Sequence, residues 1–161
     1  MEVVLTNELI RKIARAIRAV KPDIVLTHWE RDYHLDHNTT SQAVTHAVLC
    51  ACVPRYDPET EAWSPSRLYY SDTMSGLDFE PELWVDISET EEIKLKSFAA
   101  HKSQMAWLGR GGADPLEAIR IQDRFRGLQV GCMFAEAFRA TKRRGFVHAE
   151  SGSIRSLSSL L

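Results

Sequence analysis

The residues best suited to chemistry are concentrated in one stretch, from His28 to His37. Within it, His34 and His37 stand three positions apart, a spacing that places both imidazoles on one side of a helical turn. Asp36 between them can cap a helix or bind a ring nitrogen. Because imidazole is a good zinc donor and a carboxylate fixes its tautomer, the stretch is compatible with a zinc site. A capping loop on the surface is the alternative, because catalytic zinc generally takes three protein ligands.

A strand, a polar loop and a helix are predicted to position this stretch. The run DIVLT, from Asp23 to Thr27, follows a proline turn and is rich in β-branched residues, which favours a buried strand of the parallel kind. From about Asp36 to Pro54, small and apolar residues recur at the helical period. In open α/β sheets ligands bind where the carboxyl end of a strand meets the next helix, so we expect His34 and His37 there.

The rest of the sequence continues to alternate between helix and strand patterns, which predicts a Rossmann-like layered α/β domain with a mostly parallel sheet. Asn7 is predicted to cap the first helix. Ser88 and Glu91 have the spacing of a capping box, and Glu91 and Lys94 that of an ordinary surface pair. The further predicted elements are a helix at 7–20, strands at 67–71 and 83–87, helices at 91–104 and 115–130, and a short closing segment at 134–139.

Length and composition restrict the class of protein. A chain of 161 residues with 44% hydrophobic and 26% charged residues is the size and type of one folded domain. The longest apolar run, Ala47 to Val53, is far below the roughly 20 residues of a spanning helix, and no basic leader opens the sequence, so we expect no membrane span and a cytoplasmic location. A net charge of −2 argues against nucleic acid as a partner.

The stretch DIVLTHWERDYHLDHNTTSQAV resembles the second metal motif of the LmbE-like, or PIG-L-like, N-acetylglucosaminyl deacetylase family. In that family a strand of the type P-D-(I/V)-(V/I)-x-T is followed by a loop and H-P-D-H. Later stretches agree with the family in the same order: RLYYS at 67–71, WVDIS at 84–88, AHKSQ at 100–104 and the segment from Gly131 to Phe138. The likeness covers residues 1–150, and residues 151–161 are a polar tail.

The resemblance implies a role for each residue of the motif. His37 would be a zinc ligand, and His34 the histidine that assists the tetrahedral intermediate or the leaving amine. Asp36 would orient His34. Leu35 replaces the proline of the motif, which removes a fixed φ but no ligand. His46 and His101 are expected to serve the structure.

One departure from the family is large. Its first motif, A-H-P-D-D-E, supplies two further zinc ligands and the general base, and the sequence does not contain it. The sequence therefore resembles the carboxy-terminal portion of the family domain, with the opening βαβ unit missing. Zinc held by these residues alone would need His28 or Asp32 to join His34 and His37.

Two functions follow as expectations. The first is zinc-dependent de-N-acetylation of an N-acetylated amino-sugar conjugate of the N-acetylglucosamine type, with a site that is incomplete in this chain. The second is a non-catalytic remnant or subunit that serves as a binding or assembly module. Because the missing unit would leave a sheet edge exposed, we also expect homo-oligomers.

Overall fold

The computed structural model describes residues 2–142 of the chain. These residues contain nine helices and strands, joined by loops. The predicted polar tail lies outside these residues. Three single 3₁₀ turns, at Pro54–Tyr56, Met74–Gly76 and Gly109–Gly111, connect the longer elements. In chain order the elements are α1 (Asn7–Val20), β1 (Ile24–Thr27), α2 (Leu35–Ala51), β2 (Arg67–Ser71), β3 (Leu83–Asp86), α3 (Glu91–Ala99), α4 (Lys102–Leu108), α5 (Pro115–Val130) and β4 (Ala135–Ala140).

The sheet has the order β1-β2-β4-β3. β1 pairs with β2 in parallel, whereas β4 pairs antiparallel with both β2 and β3. The three predicted strands therefore run in the same direction, as expected. The closing segment at 134–139 was not predicted as a strand, and it lies in the interior of the sheet. Its sequence AEAFRA is half alanine and has two charged residues, which gives little β-propensity, so its place in the sheet depends on tertiary pairing.

Helices cover both faces of this sheet. The first core joins α1 and α2 to β2 through small and branched side chains. Its buried members are Ile10, Ala14, Ile17, Ala47, Val48, Ala51 and Leu68. On the opposite face of β4, Glu136 meets Lys94 of α3, and α5 packs beside it. The layered α/β class is therefore confirmed, with α1 and α2 on one side and α3 and α5 on the other. Among the described helices, none is both long and apolar enough to span a membrane.

Three predicted helix boundaries differ from the observed ones. Thr6, not Asn7, caps α1, because its hydroxyl accepts the Leu9 N–H at 3.1 Å. The helix predicted from 91 to 104 is broken at His101, whose ψ of 67° is not helical, and this break separates α3 from α4. The capping box at Ser88 does not form, because the Ser88 hydroxyl binds Asp86 at 2.6 Å and α3 begins after Thr90.

The pair formed by Glu91 and Lys94 is not on the surface. Glu91 is 2% exposed, and the Lys94 ammonium binds Asp123 and Glu136 instead. A cavity of about 550 Å³ lies between this face of the sheet and the two helices α3 and α5. Its walls include Leu26, Lys94, Phe98, Ile119, Asp123 and Phe138.

Candidate active site

The histidine cluster lies at the carboxyl end of β1. The strand ends at Thr27, and α2 begins at Leu35 with His34 as its N-cap residue. The seven-residue loop between them carries His28 and Asp32, and the first turn of α2 carries His37. This is the position that the strand-loop-helix pattern predicted.

The three imidazoles of the cluster are stacked. The rings of His28 and His37 lie 4.1 Å apart between centroids and are 3° from parallel. The His34 ring lies 4.6 Å from that of His37 at 23°. Burial, and then the proximity of His37, lower the pKa of His28, so its neutral form is favoured. Neutral imidazole is also the form that binds metals.

Asp32 organises the two motif histidines. Its carboxylate accepts the backbone N–H of His34 at 2.8 Å and lies 3.2 Å from Nδ1 of His37. The Nδ1 atom of His37 is buried, and its angle to Asp32 Oδ1 does not meet the geometry of a hydrogen bond. The distance between the two atoms is nevertheless short enough for an ion pair. Two hydrogen bonds with Asn38, at 2.8 and 2.9 Å, hold the backbone of Asp32 in place. With Nδ1 turned toward Asp32, Nε2 is the His37 nitrogen available to a ligand.

The sequence offered one signal for this role of Asp32. An aspartate whose side chain accepts the N–H two residues later forms an Asx turn, and the D-x-H spacing before α2 suits that turn. Asp32 was predicted to belong to the cluster but not to contact His37, and Asp36 was predicted to orient His34.

The carboxylate of Asp36 faces the amino-terminal segment. It accepts the backbone N–H groups of Glu2 and Val3 at 3.1 and 3.3 Å. Although desolvation opposes them, these hydrogen bonds lower the pKa of Asp36. The backbone N–H of Asp36 donates to Nδ1 of His34 at 3.2 Å. A neutral His34 that accepts at Nδ1 carries its proton on Nε2 and can donate it there.

Residues 2–142 contain no group of three or more His, Cys, Asp or Glu side chains placed to hold a metal ion. The stacked rings explain this, because imidazole lone pairs lie in the ring plane and parallel planes do not converge on one ion. Catalytic zinc takes three protein ligands. The described residues therefore do not fit a self-contained catalytic zinc site.

Two other histidines of residues 2–142 lie outside the cluster. His46 is exposed on α2, and His101 lines the cavity between the sheet and α3 and α5. No residue of the His28–His37 stretch lines that cavity. The two regions are neighbours, because the Tyr33 hydroxyl lies 3.9 Å from the sulfur of Met74, which lines the cavity.

Comparison with known proteins bears on the same part of the chain. Residues 2–48, which include β1 and the histidine cluster, match the model of the PIG-L family, described as GlcNAc-PI de-N-acetylase. Over these residues the chain is similar to the PIG-L family. The resemblance seen in the motif residues is thereby confirmed.

Solved structures agree with the fold of this PIG-L-like chain. The conserved protein TT1542 of Thermus thermophilus is 26% identical with a TM-score of 0.76, over 92% of this chain and 66% of the other. GalB, the 4-carboxy-2-hydroxymuconate hydratase of Pseudomonas putida, is 17% identical with a TM-score of 0.70, over 92% and 64%.

A third structure, the N,N'-diacetylchitobiose deacetylase of Pyrococcus horikoshii, is 22% identical with a TM-score of 0.71, over 87% of this chain and 53% of the other. The PIG-L-like chain thus spans 53% to 66% of the length of these proteins. At 17% and 22% identity, the likenesses to the hydratase and the deacetylase concern the fold.

Replacing Asp32 with asparagine should change the tautomer of His37. In the wild-type chain we expect the proton on Nδ1, facing the carboxylate, and in Asp32→Asn a shift of the proton toward Nε2. The ¹⁵N chemical shifts of the ring report the tautomer directly. Asp36→Asn is the matched control, because its carboxylate binds the amino-terminal segment, and it should leave His37 unchanged. Identical ring shifts in wild type and Asp32→Asn would contradict this role.

Proposed function

We propose that this chain carries the H-x-D-H part of the active site of a zinc-dependent de-N-acetylase. The observation that supports it is the arrangement of His34, Asp32 and His37 at the carboxyl end of β1, inside the segment that matches the family model. Zinc is the proposed metal because imidazole is a good donor to it. The further ligands and the general base that the family motif would supply are not in the sequence.

The proposed roles follow from which ring nitrogens are engaged. His37 offers Nε2 as a ligand, because Nδ1 faces Asp32. His34 accepts a backbone N–H at Nδ1, so its Nε2–H can donate to an oxyanion or to the leaving amine. Fixed donors aimed at developing negative charge are among the strongest contributors to catalysis of acyl transfer.

The proposed substrate is an N-acetylated amino-sugar conjugate of the N-acetylglucosamine type. Two names support this class: the family is described as GlcNAc-PI de-N-acetylase, and the Pyrococcus protein as an N,N'-diacetylchitobiose deacetylase. Both concern the acetamide of a glucosamine unit.

A second candidate is a binding or assembly module without catalysis. The lack of a three-ligand group among residues 2–142 favours it. A homo-oligomer is proposed alongside either function. Its support is that β1 forms one edge of the described sheet and that Leu26 on this strand is 51% exposed, because an exposed edge can pair with another chain.

The test compares the 161-residue chain with the same chain joined behind a family segment that carries A-H-P-D-D-E. Acetate released from N,N'-diacetylchitobiose and bound zinc are both measured. We expect background turnover from the chain alone and clear turnover from the joined protein. There, His37→Ala should strip the zinc, whereas His34→Ala should keep the zinc and lose roughly 10²- to 10³-fold in rate, the usual cost of one oxyanion donor.

His46→Ala, an exposed change on the same helix, is the control and should match the wild-type rate. Stoichiometric zinc and robust turnover by the 161-residue chain alone would show that a different ligand set is used. A joined protein that folds and binds the disaccharide without releasing acetate would favour the binding module.

A further inference from the structure

A second cluster of ionisable side chains lies between α3 and α5, outside the histidine site. Glu91 and Asp123 are 2% and 4% exposed. The Lys94 ammonium lies 2.8 Å from Asp123 and 2.7 Å from Glu136. One ammonium is thus shared by two carboxylates while a third carboxyl, that of Glu91, is buried beside them. Ionisation of all three would leave unpaired negative charge in the interior.

Neither carboxyl oxygen of Glu91 accepts a hydrogen bond from any N–H or hydroxyl group in the part of the chain that the structure describes. A buried carboxylate without donors is costly, whereas a protonated carboxyl can itself donate to a neighbouring carboxylate. Burial, followed by the contact with Asp123, raises the pKa of Glu91 to about 7. Burial also raises the pKa of Asp123.

The charges that face Glu91 come from each element around it. Lys94 on α3 and Arg120 on α5 favour its ionised form, and Asp123 on α5 opposes it. Glu136 on β4 reaches the cluster through Lys94. Arg120 is itself engaged with Glu92 at 2.9 Å, so Lys94 is the main compensating cation inside the cluster.

We propose that Glu91 and Asp123 share one proton and form a pH-sensitive clasp between α3 and α5, closed below neutral pH and weakened above it. These two helices form one wall of the 550 Å³ cavity, through Lys94 and Phe98 of α3 and Ile119 and Asp123 of α5. Release of the proton leaves two buried carboxylates in contact. The repulsion between them loosens this wall.

The direction of the pH effect follows from proton linkage. Between the ordinary Glu91 pKa of 4.5 and about 7, the folded chain keeps a proton that the unfolded chain has lost. The free energy of unfolding therefore falls as pH rises through this range and levels off above it. His28 acts in the opposite direction, because its pKa is lowered from 6.5 in the folded chain. A comparison of two variants that both retain His28 cancels its contribution.

The experiment measures urea unfolding from about pH 5 to pH 8 in wild type, Glu91→Gln and Glu89→Gln. Glutamine keeps the shape of residue 91 and cannot ionise. Over this range the unfolding equilibrium constant of wild type should rise on the order of 100-fold more than that of Glu91→Gln. Glu89→Gln, an exposed change two residues earlier, should retain the wild-type dependence. Hydrogen exchange in α3 and α5, corrected for its intrinsic pH dependence, should accelerate over the upper part of the range except in Glu91→Gln.

Equal pH dependence in wild type and Glu91→Gln would overturn the proposal. If Glu91→Gln does not fold, ¹³C NMR of the Glu91 carboxyl in the wild-type chain decides the question. A titration midpoint near 7 supports the clasp. A midpoint near 4.5 rejects it.

Discussion

Arg18→Met should lower the free energy of unfolding by about 3–5 kcal/mol, because Arg18 is the central hydrogen-bond donor of a buried polar network. Its side chain is 2% exposed and reaches from α1 to the end of α2 and the segment after it. Methionine fills similar space but donates none of the six hydrogen bonds of the guanidinium, so the contacts that tie α1 to the end of α2 are lost. The acceptors are the backbone carbonyls of Cys50, Ala51, Val53, Asp57 and Thr60 and the Thr60 hydroxyl, at 2.6 to 3.2 Å.

Urea denaturation followed by far-UV circular dichroism gives this free energy. Lys12→Met is the control, because Lys12 is exposed on the same helix, and its effect should stay within about 0.5 kcal/mol. A loss below about 1 kcal/mol for Arg18→Met would mean that water replaces the guanidinium and that the network is not a buried one.

Gly127→Ala should destabilise the chain by about 2–4 kcal/mol, although alanine is about 1 kcal/mol better than glycine inside a helix. A Cβ at this position of α5 would lie 2.7 Å from the carbonyl oxygen of Cys132 and 2.9 Å from the carbonyl group of Met133. Both neighbours are backbone atoms of the turn into β4. That turn is fixed by hydrogen bonds from the N–H groups of Gly131 and Cys132 to the Gly127 carbonyl.

Thermal denaturation of Gly127→Ala and Gly109→Ala separates the steric effect from helix propensity. Gly109 has nothing within 4 Å of an added Cβ, so its substitution should be neutral or slightly stabilising. A melting temperature for Gly127→Ala equal to or above that of wild type would show that the turn can shift without cost.

Local patterns in the sequence were sufficient to predict where in the fold the histidine cluster lies. The β-branched run at 23–27 and the helical period after Asp36 predicted β1 and α2, and these two elements place His34 and His37. The end of α1 was predicted from the proline that follows Lys21. In the structure Lys21 has a positive φ and ends the helix. Each of these signals acts within a few residues of the element that it predicts.

Features that depend on distant contacts were missed or wrongly predicted. Arg18 lies on a helix and is polar, so nothing near it in sequence indicates burial; its partners are 32 to 42 residues away. Glu91 and Lys94 have the spacing of a surface pair, and only the packing of α5 and β4 against α3 buries them. The role of Asp32 at His37 depends on the loop conformation between β1 and α2. Such contacts form only once the chain has folded.

The interior position of β4 sets an order of assembly. In the described sheet β3 pairs only with β4, and β4 is the last of the described strands to leave the ribosome. Until residues 135–140 are synthesised, α1, α2, β1 and β2 can associate among themselves, because the contacts among them involve only residues 7–71. β3 has no strand partner in the described sheet until then. The pairing of β4 is therefore a late step of folding, and it joins both halves of the described sheet at once.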